Sequence, residues 1–70
     1  MRWYPAHKFD PNPGQMCLVT IRWSDTDTYS REEKAKFFEG ENRWVIFGGE
    51  QLRTFERVES WTPYNLPEQL

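Results

Sequence analysis

The side chains able to do chemistry are few, and their spacing decides what they can do. His7 is the one imidazole and Cys17 the one thiol of the chain. Nucleophilic catalysis needs a nucleophile, a base and a group that orients the base. His7 lies in a turn-rich opening, where an exposed or capping role is expected. Cys17 lies in an apolar run without the basic neighbours that activate a thiol, so it reads as a small core residue. Together they fall short of a zinc ligand set, and a single cysteine permits no internal disulfide. Glu32 and Glu33 are adjacent carboxylates, but neighbours on a strand point to opposite faces and cannot share an acid/base task. Asp25 and Asp27 could hold a hard cation, yet calcium wants roughly six to eight oxygens; Ser24-Asp25-Thr26-Asp27-Thr28 reads as a turn instead. Gly48-Gly49 lacks the lysine and spacing of a phosphate loop. The expectation is no enzyme, no metal and no cofactor.

A binding chemistry is better supplied. Arg2-Trp3-Tyr4, Arg22-Trp23 and Arg43-Trp44 each set a guanidinium beside an aromatic ring, and Trp61 and Tyr64 close the chain. Arginine takes phosphate or carboxylate bidentately and stacks on rings. The candidate partner- or ligand-binding residues are therefore Trp3, Tyr4, Arg22, Trp23, Arg43, Trp44, Trp61 and Tyr64. The competing reading makes the tryptophans core and the arginines a rim of ion pairs. With four tryptophans in 70 residues, burying every indole is difficult, which leaves one or two for an exposed patch or a subunit interface.

These side chains need a frame, and 70 residues allow one domain, residues 1–70. So short a chain buries only about 60% of its unfolded surface. With aromatics at 17% of the composition, aromatic packing or self-association is the expected staple. The opening, residues 1–15, reads as irregular, with a turn at Pro13-Gly14. Met16 to Trp23 reads as a strand whose Cys17, Val19, Ile21 and Trp23 share an inward face by period two. Residues 29–38 carry two signals. Ser30-Arg31-Glu32-Glu33 matches a helix capping box closed by Gly40, while Tyr29, Ala35 and Phe37 alternate like a strand beside Arg31 and Glu33. Gly40-Glu41-Asn42 reads as a turn. Arg43 to Phe47 is a strong strand, with Trp44 and Ile46 on one face and Val45 and Phe47 on the other. Gly48-Gly49 supplies positive φ for a reversal. Thr54 to Trp61 forms a last strand, Phe55 sharing a face with Arg57, Glu59 and Trp61 while Val58 points away. Such mixed faces suit an edge position. The fold class is mostly β: a small antiparallel sheet of three to four strands, with one short helix at 30–38 as the open alternative. Trp3-Tyr4-Pro5 at one end and Trp61-Thr62-Pro63 at the other pair a large aromatic with a proline, so both ends are expected to dock on the core.

In order and spacing these elements resemble a family of short phage and prophage proteins known only as a domain of unknown function. The residues that carry the resemblance are Trp3, Pro13-Gly14, Leu18-Val19, Phe37-Phe38, Trp44, and a closing Val58, Trp61, Pro63, Leu66 and Pro67 that is similar to V-x-x-W-x-P-L-P. It spans nearly the whole chain. Two departures stand out: Tyr64-Asn65 is inserted before Leu66-Pro67, and the acidic stretch 30–36 is longer and more charged. The resemblance implies a small antiparallel β fold and a phage or prophage origin, and it implies no activity.

The function classes follow. Nine basic against eleven acidic residues, net charge −2, argue against a bulk nucleic-acid binder. No apolar run nears the ~20 residues of a membrane span, and no charged-then-apolar leader opens the chain, so the bacterial host cytoplasm is the expected location. The expected function is non-catalytic binding: a counter-defence inhibitor that blocks a host protein, such as a bacterial immune component. One alternative is an oligomer that sequesters a nucleotide immune signal between rings and guanidiniums. Another is a single-stranded nucleic-acid binder that works by stacking.

Overall fold

The computed structural model describes residues 2–40 and 43–64. These form one antiparallel sheet of five strands: β1 (Tyr4–Pro5), β2 (Met16–Trp23), β3 (Tyr29–Phe37), β4 (Trp44–Ile46) and β5 (Glu56–Pro63), in the order β1-β5-β2-β3-β4. The mostly-β expectation holds, with five strands in place of three or four and no helix among the described residues. Residues 29–37 resolve as a strand. The side chains that suggested a helix cap are used otherwise: the Ser30 hydroxyl donates across the sheet to Glu56 at 2.6 Å, and the Glu33 carboxylate accepts from Arg31 two residues away along β3 at 2.7 Å. Pairing with β2 overrides a local preference worth little by itself. The turn expected at Gly40-Glu41-Asn42 and the closing Leu66-Pro67 lie partly or wholly outside the described residues.

Two register shifts reshape the pattern that simple alternation predicts. Between β2 and β3, Ile21 faces Arg31 and Arg22 faces Tyr29, so Ser30 is the extra residue. Tyr29 thereby leaves the face shared by Arg31, Glu33, Ala35 and Phe37. Between β2 and β5, Thr20 faces Ser60 and Ile21 faces Val58, so Glu59 is extra. Val58 and Trp61 then share the inner face, against the expectation that they oppose each other. A bulge inserts one residue and resets the period. The same pairing corrects the edge assignment: β5 is internal, between β1 and β2. The opening is also more regular than expected, since Tyr4 pairs with Trp61 and Pro5 with Ser60.

The core lies on one face of the sheet. Cys17, Val19 and Ile21 of β2 are fully buried with Ala35, and Ile46 and Trp61 complete the cluster. Tyr4 stacks on Trp61 with ring centroids 4.8 Å apart, and the Trp61 indole N–H donates to the Phe9 carbonyl at 2.9 Å. This indole therefore binds the opening segment to the last strand, as the paired ends of the sequence suggest. Burial pushes the Cys17 thiol up to about 11, which leaves it protonated and unreactive near neutrality. Gly14, at φ 82°, follows Pro13 in a turn closed by the Gln15 N–H on the Asn12 carbonyl at 2.9 Å. That turn type needs a positive φ after its proline.

Where the apolar face runs out, a polar corner takes over. Glu56 sits on the inner face, its side chain 3% exposed, and accepts from the Ser30 hydroxyl at 2.6 Å, the Arg53 main-chain N–H at 3.1 Å and the Arg31 guanidinium at 3.2 Å. Burial alone would raise this carboxyl; the three donors outweigh it and hold the group at about 2. Burial would likewise lower Arg31, and the carboxylates of Glu56 and Glu33 reverse the shift and raise it. The Ser30 bulge is what brings both Ser30 and Arg31 within reach of one carboxylate.

Candidate functional site

Trp23 ends β2 and is 43% exposed, although its face is inward for Cys17, Val19 and Ile21. This corrects the expectation of a uniformly buried face. The register places Trp23 opposite Glu56, one row beyond the last apolar pair of Ile21 and Val58. Its ring packs edge-on against Phe55, centroids 5.7 Å apart, and Phe55 is itself 44% exposed.

The turn beneath this pair is tightly held. The Trp23 N–H donates to the Thr28 carbonyl at 2.8 Å, the Asp27 N–H donates back to the Trp23 carbonyl at 2.9 Å, and the Ser24 N–H donates to the Phe55 carbonyl at 2.8 Å. Asp27 adopts φ 59°, a left-handed conformation that Asp tolerates better than most residues. Its carbonyl accepts from Arg22 at 3.0 Å, and its carboxylate pairs with Arg57. Asp25 and Asp27 thus serve in a turn. Trp23 from the end of β2 and Phe55 from the residue before β5 thus present two large rings on main chain that the Ser24–Phe55 bond ties together.

The other anticipated residues divide among different places. Tyr4 and Trp61 meet in the core stack, and Trp61 is only 6% exposed. Trp3 is half-buried. Trp44 is half-buried against the core and meets Phe37 edge-on at 5.0 Å. Arg43 pairs with Asp10 at 2.6 Å and lies over the Phe37 ring at 5.0 Å. Tyr64 is half-buried with the Lys34 ammonium 5.3 Å above its ring. The sequence-adjacent Arg–Trp pairs therefore build no common site. Arg22 and Trp23 share the hairpin tip but leave it in opposite directions.

Sequence reasoning missed Phe55 and Gln51. Phe55 could have been found by running β5 antiparallel to β2, which brings the start of one to the end of the other. Gln51 carried no such signal, because its role depends on which strand lies at the edge. No protein-family model, curated protein or solved structure matches the chain. The arrangement can therefore be read only from its own geometry. No helix among the described residues is long and apolar enough to cross a membrane.

Along β4 lies a cleft of about 630 Å³, bordered by Trp44 and Val45, by Gln51 and Leu52, and by Arg57 and Val58 of β5. Its volume is that of an ordinary ligand pocket, on the order of 300–1,000 Å³.

Proposed function

We propose that this chain is a non-catalytic protein-binding module that acts by occupying a surface of its partner. The observation that carries the reading is the exposed Trp23–Phe55 pair on its bonded turn. Binding energy at protein interfaces concentrates in a few rings, Trp foremost, set in well-packed positions. An anchor that is ordered before binding loses less entropy on docking. Four of the six arginines stand in ion pairs: Arg43 with Asp10, Arg53 with Glu50, Arg57 with Asp27 and Glu59, and Arg31 with Glu33 and Glu56.

The resemblance of the motif order to short phage and prophage proteins, which implies an origin and no activity, supports a bacterial host protein as the partner; a blocked defence component is the outcome we propose. The test is capture from bacterial lysate on the immobilised chain, followed by reconstitution with the purified captured protein. A stoichiometric complex that forms with the wild type and is lost with Trp23→Ala, at nearly unchanged thermal stability, supports the reading. A complex indifferent to Trp23→Ala and Phe55→Ala, or turnover of a substrate by the purified chain, rejects it.

A further inference from the structure

The free edge of β4 is closed in an unusual way. Arg43 and Phe47, flanking the strand, bond to β3: the Phe38 N–H donates to the Arg43 carbonyl and the Phe47 N–H to the Lys34 carbonyl, both at 2.8 Å. Alternation then turns the main chain of Ile46 to the open side. There the Gln51 carboxamide meets both groups. It accepts from the Ile46 N–H at 2.9 Å and donates to the Ile46 carbonyl at 2.9 Å. A primary amide offering one acceptor and one donor at these distances reproduces what a peptide unit of a neighbouring strand would offer. Edge strands are commonly protected by charge or proline; Trp44-Val45-Ile46-Phe47 has neither.

We infer that β4 is a strand-addition edge, that Gln51 is its removable placeholder, and that the occupant is an extended segment of a partner protein in which apolar residues alternate with acidic ones. The chemistry of the placeholder selects a polypeptide main chain. The residues next to the edge select the side chains: Trp44 and Leu52, which border the cleft together with Gln51, are apolar. Arg43, which precedes β4, stands in an ion pair exposed enough to exchange partners, its side chain 47% exposed. A guanidinium beside apolar walls fits a strand with acidic residues between apolar ones. The inference adds a second contact to the protein-binding reading and does not depend on the Trp23 surface.

The probe is a capped six-residue peptide of alternating valine and glutamate, titrated into the full chain by NMR. Closure by Gln51 taxes the apparent affinity by the fraction of time the edge is open. Two neutral hydrogen bonds make that tax about tenfold. Gln51→Ala should therefore bind the probe about tenfold more tightly than the wild type, with the Ile46 amide resonance shifting on binding. Gln51→Glu keeps the acceptor for the Ile46 N–H and loses the donor, and should fall between the two; it also serves if the alanine variant does not fold. A backbone N-methylated probe should not bind, and an alternating valine–lysine probe should bind more weakly. Trp23→Ala should leave all of this unchanged, which separates a failure here from a failure of the aromatic surface. Equal affinity of wild type and variant, shifts confined to Trp23 and Phe55, or self-association of Gln51→Ala through β4 without peptide would each overturn the assignment, the last by making a second copy the occupant.

Discussion

The sheet has two edges, and they are closed by different means. At β1 the block is covalent and packed. Pro5 has no N–H to offer, and Tyr4 stacks on Trp61, whose indole N–H is bonded to the Phe9 carbonyl. At β4 the block is one neutral and exposed side chain, Gln51, hydrogen-bonded to the main chain of Ile46. Opening the first edge exposes an indole and a tyrosine ring. Opening the second exchanges two hydrogen bonds for bonds to water, a small net change of about 0.5–1.5 kcal/mol each. The same sheet thus holds one end shut and leaves the other available.

Variants test this contrast, beginning where the largest effect is expected. Trp61→Ala removes the ring that joins the opening segment to β5 and should cost about 3–5 kcal/mol. In so small a domain that is most of the stability, and thermal melts should show a broad or absent transition. If Trp61→Ala melts like the wild type, the β1 edge is not held as described. Glu56→Ala comes next. It leaves the half-buried Arg31 with Glu33 as its one remaining carboxylate and frees the Arg53 main-chain N–H and the Ser30 hydroxyl, at about 1–3 kcal/mol. Chemical denaturation should show the loss, and protection of the Ile46 amide should fall too, because Glu56 anchors the segment that carries Gln51.

Acid addresses the same carboxylate. Its pKa is lowered on folding from 4.5 to about 2, so its contribution is present above the unfolded value and is lost as pH falls toward the folded one. Stability should drop between about pH 4.5 and pH 2, and Glu56→Gln should flatten that drop. An unchanged acid profile in Glu56→Gln would assign the effect to other carboxylates. Gln51→Ala should cost only about 1 kcal/mol, while hydrogen exchange at Ile46 rises sharply and exchange in β5 does not. The smallest change in stability belongs to Trp23→Ala, within about 1 kcal/mol of wild type.

Much of this frame is legible in the sequence, and the failures share a cause. Met16–Trp23 reads directly because β-branched and apolar residues alternate without interruption. The Trp44/Ile46 and Val45/Phe47 division holds in β4 for the same reason. Alternation fails at Ser30 and Glu59, where bulges shift the period, and a bulge leaves no local mark in residue type. That failure hid the core role of Val58 and the inner position of β5. Tyr4–Pro5 could not be read as a strand because two residues are too few to show a period. The surface followed the same rule. Trp23 was legible as a binding candidate by its type. Its partner Phe55 needed the register, and Gln51 needed the strand order.

The central proposal is that the chain grips a protein through Trp23 and Phe55, held beside the β2–β3 turn. Iodide quenching of tryptophan emission, measured with and without the purified captured partner, tests it most directly. Complex formation should remove the most quenchable fraction of the emission, and that fraction should already be missing from Trp23→Phe. A complex that forms at full strength while this fraction stays open to iodide would contradict the account.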